Sequence, residues 1–194
     1  MKHFHHSPIL AVLLAGFTLG AGAHAQTVVP APPFSSIELE GGGHIVLKHG
    51  NTQQIRLLKG STEFTRFIVE ERNPGKLRIE ACNKDCPHQY DLEIEITTPD
   101  IQGVAISGGG AIESGAGFPA QHNLSAAVEG GGRIDMRAMS VANATAAVDG
   151  GGKIMIKADD ELTAAIHGGG SIRYWGSPKV TEAVEGGGEV KQGG

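Results

Sequence analysis

Large aromatic side chains are scarce, with six Phe, two Tyr and one Trp in 194 residues. The core must therefore be built from Ile, Leu, Val and Ala, and broad stacking platforms are few. Basic runs are missing too: 16 Lys and Arg face 21 Asp and Glu, a formal net charge of -5. A phosphate polymer is held by a field of cations, so this balance argues against a nucleic-acid partner. No apolar stretch reaches the roughly 20 residues that span a bilayer, so no integral membrane segment is expected in the mature chain. Neither a nucleophile elbow, a P-loop nor a zincin motif occurs, which leaves no catalytic residue to nominate and no cofactor to expect. What the chain has in excess is glycine, 30 residues, about double the 7% of an average protein.

The segment from Met1 to Ala25 reads as an address. Lys2 and a cluster of histidines precede the apolar run Ile9 to Phe17, and Ala23-His24-Ala25 supplies the small-x-small pattern of a signal-peptidase site. Cleavage is expected before Gln26, giving an exported protein, periplasmic or extracellular. The histidine-rich start belongs to this segment and is excluded from site reasoning. Residues 26–33 form a Pro-rich leader with no packing pattern, and residues 34–191 form the domain.

Cys82 and Cys86 are the only cysteines. In an oxidising compartment an even count at short range reads first as one disulfide closing a tight loop. Free thiols and a metal site remain as alternatives, although a zinc site would need two more ligands and only His88 is near in sequence.

A repeat organises the rest. Gly-Gly-Gly triplets begin at Gly41, Gly108, Gly130, Gly150, Gly168 and Gly186, and the last five recur at a nearly constant, slowly shortening step. Before each of these five lies a strand-like alternation, and after each comes one variable residue and then an aliphatic: Ile112, Ile134, Ile154, Ile172 or Val190. Alternation places Val128, Val148, Ile166 and Val184 on one face of one strand, and the second aliphatic set on one face of the next. A period near 20 without helical pattern suits one coil of an all-β, parallel β-helix, with glycine at the corners and small residues such as Ala126, Ala146 and Ala164 where space is tight. The step from the first triplet, at Gly41, to the second, at Gly108, is far longer, a gap of about three coils at that period. Longer, more charged strands fill it, so the amino-terminal half is expected to form wider, more irregular coils that cap one end. Asn123-Leu124-Ser125 and Asn143-Ala144-Thr145 match a glycosylation sequon and read as turns between coils.

The order Phe34-Ser35-Ser36-Ile37-Glu38-Leu39, Leu77-Arg78-Ile79, Leu92 to Pro99 and Val104-Ala105-Ile106-Ser107-Gly108-Gly109-Gly110 resembles the auto-transporter adhesin, head GIN domain family of bacterial envelope proteins, over roughly residues 34–190. Many members carry Gly-Ser-Gly or Gly-Ala-Gly where this chain has three glycines. The resemblance implies a right-handed, single-stranded β-helix, exported, without a catalytic motif.

Stacking in register would set Glu129, Asp149, His167 and Glu185 in one outward column, about 4.8 Å between neighbours. Such a column can hold a cation, or it can be a solvated face neutralised by Arg133 and Lys153 across the corner; the second reading is favoured, and these four residues are only weak metal candidates. A β-helix enzyme acting on polysaccharide, lyase or hydrolase, is the alternative to an adhesin-like binding or scaffold module, since an acidic column supplies carboxylate pairs by accident. Tyr90, Tyr174 and Trp175 are the few side chains suited to carbohydrate; Tyr174-Trp175 is expected rather to cover the end of the core. The last coil, Val180 to Lys191, presents strand edges that pair readily, so a second copy or another envelope protein is expected there.

Overall fold

The structure is a computed structural model that describes residues 26–70, 75–83 and 85–194; the expected signal segment and most of the turn at Asn73-Pro74 fall outside the described residues. Among the described residues there are strands and no helix, and so no helix long and apolar enough to cross a membrane. The chain runs β1 (Thr27–Val29), β2 (Ser36–Gly41), β3 (His44–His49), β4 (Gln54–Lys59), β5 (Arg66–Glu70), β6 (Lys76–Glu80), β7 (Glu93–Thr98), β8 (Gly103–Gly108), β9 (Ala111–Ser114), β10 (Gln121–Gly130), β11 (Arg133–Gly150), β12 (Lys153–Gly168), β13 (Ser171–Trp175), β14 (Lys179–Gly186) and β15 (Glu189–Gln192). This is a β-helix. The segments that precede the triplets stack in parallel, β6–β2–β8–β10–β11–β12–β14. The segments that follow them stack likewise, β7–β3–β9–β11–β12–β13–β15.

Register converts the sequence repeat into columns. Ile79, Leu39, Ile106, Val128, Val148, Ile166 and Val184 stand in one line, and Ile94, Ile45, Ile112, Ile134, Ile154, Ile172 and Val190 in the other. All but Val184 and Val190 are buried. Each buried aliphatic contributes roughly 1.5–3 kcal/mol of transfer free energy, so the two lines carry most of the core. A third column tapers along the axis from Leu77 through Ile37 and Val104 to Ala126, Ala146 and Ala164, in step with coils that shorten towards the carboxy terminus.

The three glycines of a triplet do different work. Gly130 has φ +106°, and a Cβ there would lie 2.9 Å from the carbonyl oxygen of Gly108 in the coil beneath. Gly132 has an ordinary φ, yet its Cβ would meet Ile106 Cγ2 at 2.6 Å, inside the core. A Cβ on the middle residue, Gly131, would meet nothing within 4 Å, and its φ is not positive.

Three expectations change. The stretch between the first two triplets is not three coils: Gly41 pairs directly with Gly108. One coil from this stretch, β6 with β7, is laid on the far side of β2 and β3, and the chain then passes back over them to start β8. The rest forms antiparallel cover, β5 on β6, β4 on β7 and β1 on β4, so part of the segment expected as a free leader is a strand. The sequons lie on strands, not turns, with Asn143 Nδ2 3.5 Å from Asn123 Oδ1. The ladder continues round the return side because register shifts between Met136 and Ser140 and between Val141 and Asn143 bend the strand without ending it.

The antiparallel cover is pinned by charge. Glu95 on β7, only 7% exposed, takes Arg56 of β4 at 2.8 Å and Lys48 of β3. The hydrogen bond from Lys48 holds its carboxyl below the usual glutamate range despite opposing desolvation, with the charges of Lys48 and Arg56 adding to the effect.

Two tests follow from this packing. Gly130→Ala and Gly132→Ala should each lower unfolding free energy by roughly 2 kcal/mol or more, whereas Gly131→Ala should be neutral or add up to about 1 kcal/mol; urea unfolding of the three variants checks this. Glu95, with its pKa depressed in the fold, contributes stability above the unfolded value that is lost as pH falls below about 4. Glu95→Gln should cost about 1–3 kcal/mol at neutral pH and flatten that part of the acid-unfolding curve.

Candidate functional site

The outer surfaces of the two ladders are the candidate site. On the ladder before the triplets, period-two alternation turns Val104, Ala126, Ala146 and Ala164 inward and the residue after each outward, and Ala183 continues the outward line. Ala105, Ala127, Ala147, Ala165 and Ala183 therefore line up on the outside. They floor an open groove of about 510 Å³. One wall is the column Ser107, Glu129, Asp149, His167 and Glu185, in register as the repeat implied. Within it His167 Nδ1 lies 3.3 Å from Asp149 Oδ1, both side chains more than two-thirds exposed. Among the described residues no group of three or more His, Cys, Asp or Glu is placed to hold a metal ion.

The ladder after the triplets is basic. Arg133 pairs with Lys153 and then Ser171 and Glu189 in one outward column, and Asp135, Met155, Arg173 and Lys191 form the next. Arg137 grips Asp135 with Nε to Oδ1 at 2.8 Å and Nη2 to Oδ2 at 2.6 Å, and Arg133 Nη2 reaches Oδ2 at 3.2 Å. These bonds, that of the Arg137 side chain first, hold the Asp135 carboxyl below its usual range against partial burial. Arg137 also stacks over Trp175, 5.1 Å from the ring centre. The two surfaces, one acidic and one basic, meet along the stacked glycines, where the middle residue of every triplet leaves open space beside the backbone.

The aromatic residues separate. Tyr90 is a structural clip: Ser61 N–H donates to its hydroxyl at 2.9 Å, and Thr65 Oγ1 lies 2.6 Å away. Tyr174, in register with inward Ile156, packs partly buried against the core, as expected of a covering residue, while Trp175 stands outside. Cys82 and Cys86 are joined as a disulfide. Sequence reasoning found the acidic column and the start of the basic one. It missed the outward alanines, Met155 and Arg137, although the Ala-Ala pairs, read through the same alternation, carry the first of these.

At the carboxy-terminal end β14 pairs with β12 alone and β15 with β13 alone among the described residues, and Val184 is 40% exposed. Glu182 there holds the register position of inward-facing Ala164. A carboxylate facing the core line at an open edge disfavours addition of an identical strand. Glu182→Ala should convert a monomeric boundary in analytical ultracentrifugation to a concentration-dependent dimer or larger species; unchanged sedimentation would show that the carboxylate is not what limits stacking.

Comparison with known proteins agrees with this architecture. A putative adhesin from Bacteroides fragilis superposes with a TM-score of 0.53 at 18% identity, covering 86% of this chain and 95% of its own. A putative adhesin from Parabacteroides distasonis gives 0.43 at 14% identity over 87% and 96%, and a putative cell adhesion protein from Clostridium sporogenes gives 0.40 at 12% over 87% and 99%. The first supports the fold; identities this low carry nothing further. No curated protein matches the chain. The family model described as putative auto-transporter adhesin, head GIN domain, matches residues 33–121 and 120–178, and the chain belongs to that family.

Proposed function

We propose that the protein is an exported, non-catalytic, adhesin-like module that binds a cell-envelope or cell-surface partner through the lateral faces of its β-helix, with the signal segment Met1 to Ala25 removed before Gln26. The observation that carries this reading is the continuity of the groove face: its alanine floor and the wall of Glu129, Asp149, His167 and Glu185 run in register over successive coils at one spacing. Family membership supports it. The lateral faces are favoured over the carboxy-terminal edge because Glu182 sits on that edge.

A polysaccharide-acting enzyme is the weaker reading. Glycoside hydrolysis needs two carboxyl groups flanking one bond, and here Glu129, Asp149 and Glu185 stand in a row along one wall of an open groove.

The test is retention of the purified, fluorescently labelled protein on bacterial cells and envelope fractions. Ala147→Arg, which places a long cation on the groove floor, and Lys153→Glu, which reverses charge on the basic face, both alter outward positions and should leave the melting temperature unchanged. At least one should reduce retention tenfold or more. Absence of retention on every surface, or full retention by both variants, would refute binding through these faces, and release of sugar products would favour the enzyme instead.

A further inference from the structure

We infer that a depression on the basic face, among Arg133, Lys153 and Arg173, binds the anionic group of an acidic polysaccharide, with Met155 beneath the sugar ring and Trp175 beside it. The assignment rests on the surface-binding reading above and names the ligand class for one of its faces. The depression has a volume of about 200 Å³ and is lined by Arg133, Lys153, Met155, Ser171, Arg173 and Glu189.

Three cations line it against one carboxylate, Glu189, and the acids of the face make their shortest contacts with cations outside the depression. Asp135 is chelated by Arg137, and Glu189 is held by Lys191. Lys153 makes no ion pair among the described residues, and Arg133 makes a single contact with Asp135 at 3.2 Å. A carboxylate or sulfate seated there would meet two guanidinium groups, an ammonium and the Ser171 hydroxyl, a donor set that recognises oxyanions and that outweighs the one carboxylate of the lining, Glu189, itself held by Lys191.

The apolar features point to a sugar. Met155, only 9% exposed, gives the floor a small polarisable apolar patch. Trp175 lies two residues beyond Arg173 on the same side of β13, roughly 7 Å further along the strand, held between Arg137 over its ring and the carboxy-terminal backbone, to which its Nε1 donates at Gly194, so it flanks the depression as a fixed apolar border. Because coils repeat at about 4.8 Å, Arg133 and Lys153 present cations at a spacing comparable to successive units of an extended glycan. A lipid surface fits less well, since the large exposed apolar side chains, Val28 and Val184, lie outside the depression, Val28 at the far edge of the same sheet and Val184 on the other ladder. Nucleic acid is disfavoured by the acidic column across the glycine edge and by the overall charge of -5.

The experiment is native affinity electrophoresis of the purified protein through gels containing polygalacturonate, dextran sulfate or neutral dextran, with duplex DNA as a competitor class. Retardation by either acidic glycan but not by neutral dextran, weakened at least tenfold in Lys153→Gln/Arg173→Gln and unchanged in Lys179→Gln, is the expected result. Which glycan retards assigns carboxylate or sulfate. If melting shows the double variant unfolded, Lys153→Gln alone is read in the same way. Lack of retardation by both acidic glycans, equal retardation by neutral dextran, full binding by the variant, or DNA binding at least as tight would overturn the assignment. A protein retained on cell envelopes that ignores both acidic glycans loses this site and keeps the surface-binding reading; one retained by neither loses both.

Discussion

Hydrogen bonding between stacked glycine triplets is the constraint on which the rest of the molecule depends. The N–H of Gly131 donates to Gly108 at 3.0 Å, that of Gly151 to Gly130 at 2.9 Å and that of Gly169 to Gly150 at 2.9 Å; Arg133 and Lys153 then donate to the third glycines of the coils beneath, Gly110 and Gly132. Backbones must therefore stay at ladder spacing through a sharp bend, where few buried amides can go unpaired. The first glycine of a triplet supplies the positive φ, and the third leaves room for the aliphatic of the preceding coil. If either position widened, both ladders would lose their register together.

Because the bend is kept at every coil, whatever residue type recurs in the repeat is written as a column on the surface. Acidic residues before the triplets and basic residues after them become two faces of opposite sign separated by a strip of bare backbone. Exposed pairs such as His167 with Asp149 contribute little to stability. Their weight falls on recognition, where a row of like groups on a rigid support meets a partner with less ordering cost than mobile loops would.

A stack held by neighbour contacts is exposed at its ends, and the chain treats the two ends differently. The amino-terminal end is covered by antiparallel strands, tied down through Glu95 and its two cations. The other end keeps its ladder direction but places Glu182 where alanine stands in the preceding coils. One end is closed by hydrogen bonding, the other guarded by charge.

The spacing of the triplets and the alternation around them determined the β-helix, its aliphatic columns and the acidic column, because each depends on contacts between equivalent positions of adjacent coils. A periodic sequence states such contacts directly. The stretch between Gly41 and Gly108 has no such periodicity, so nothing in it showed that β6 and β7 lie beyond β2 and β3, or that Thr27–Val29 joins the cover. Those placements are decided by which free edge each strand can pair with, a matter of long-range hydrogen bonding. The basic depression is of the same kind. Arg133, Lys153 and Arg173 recur at equal steps along the sequence, but the excess of positive charge where they meet arises only when Arg137 folds onto Asp135 and Lys191 onto Glu189, side-chain choices that depend on the stacked strands around them.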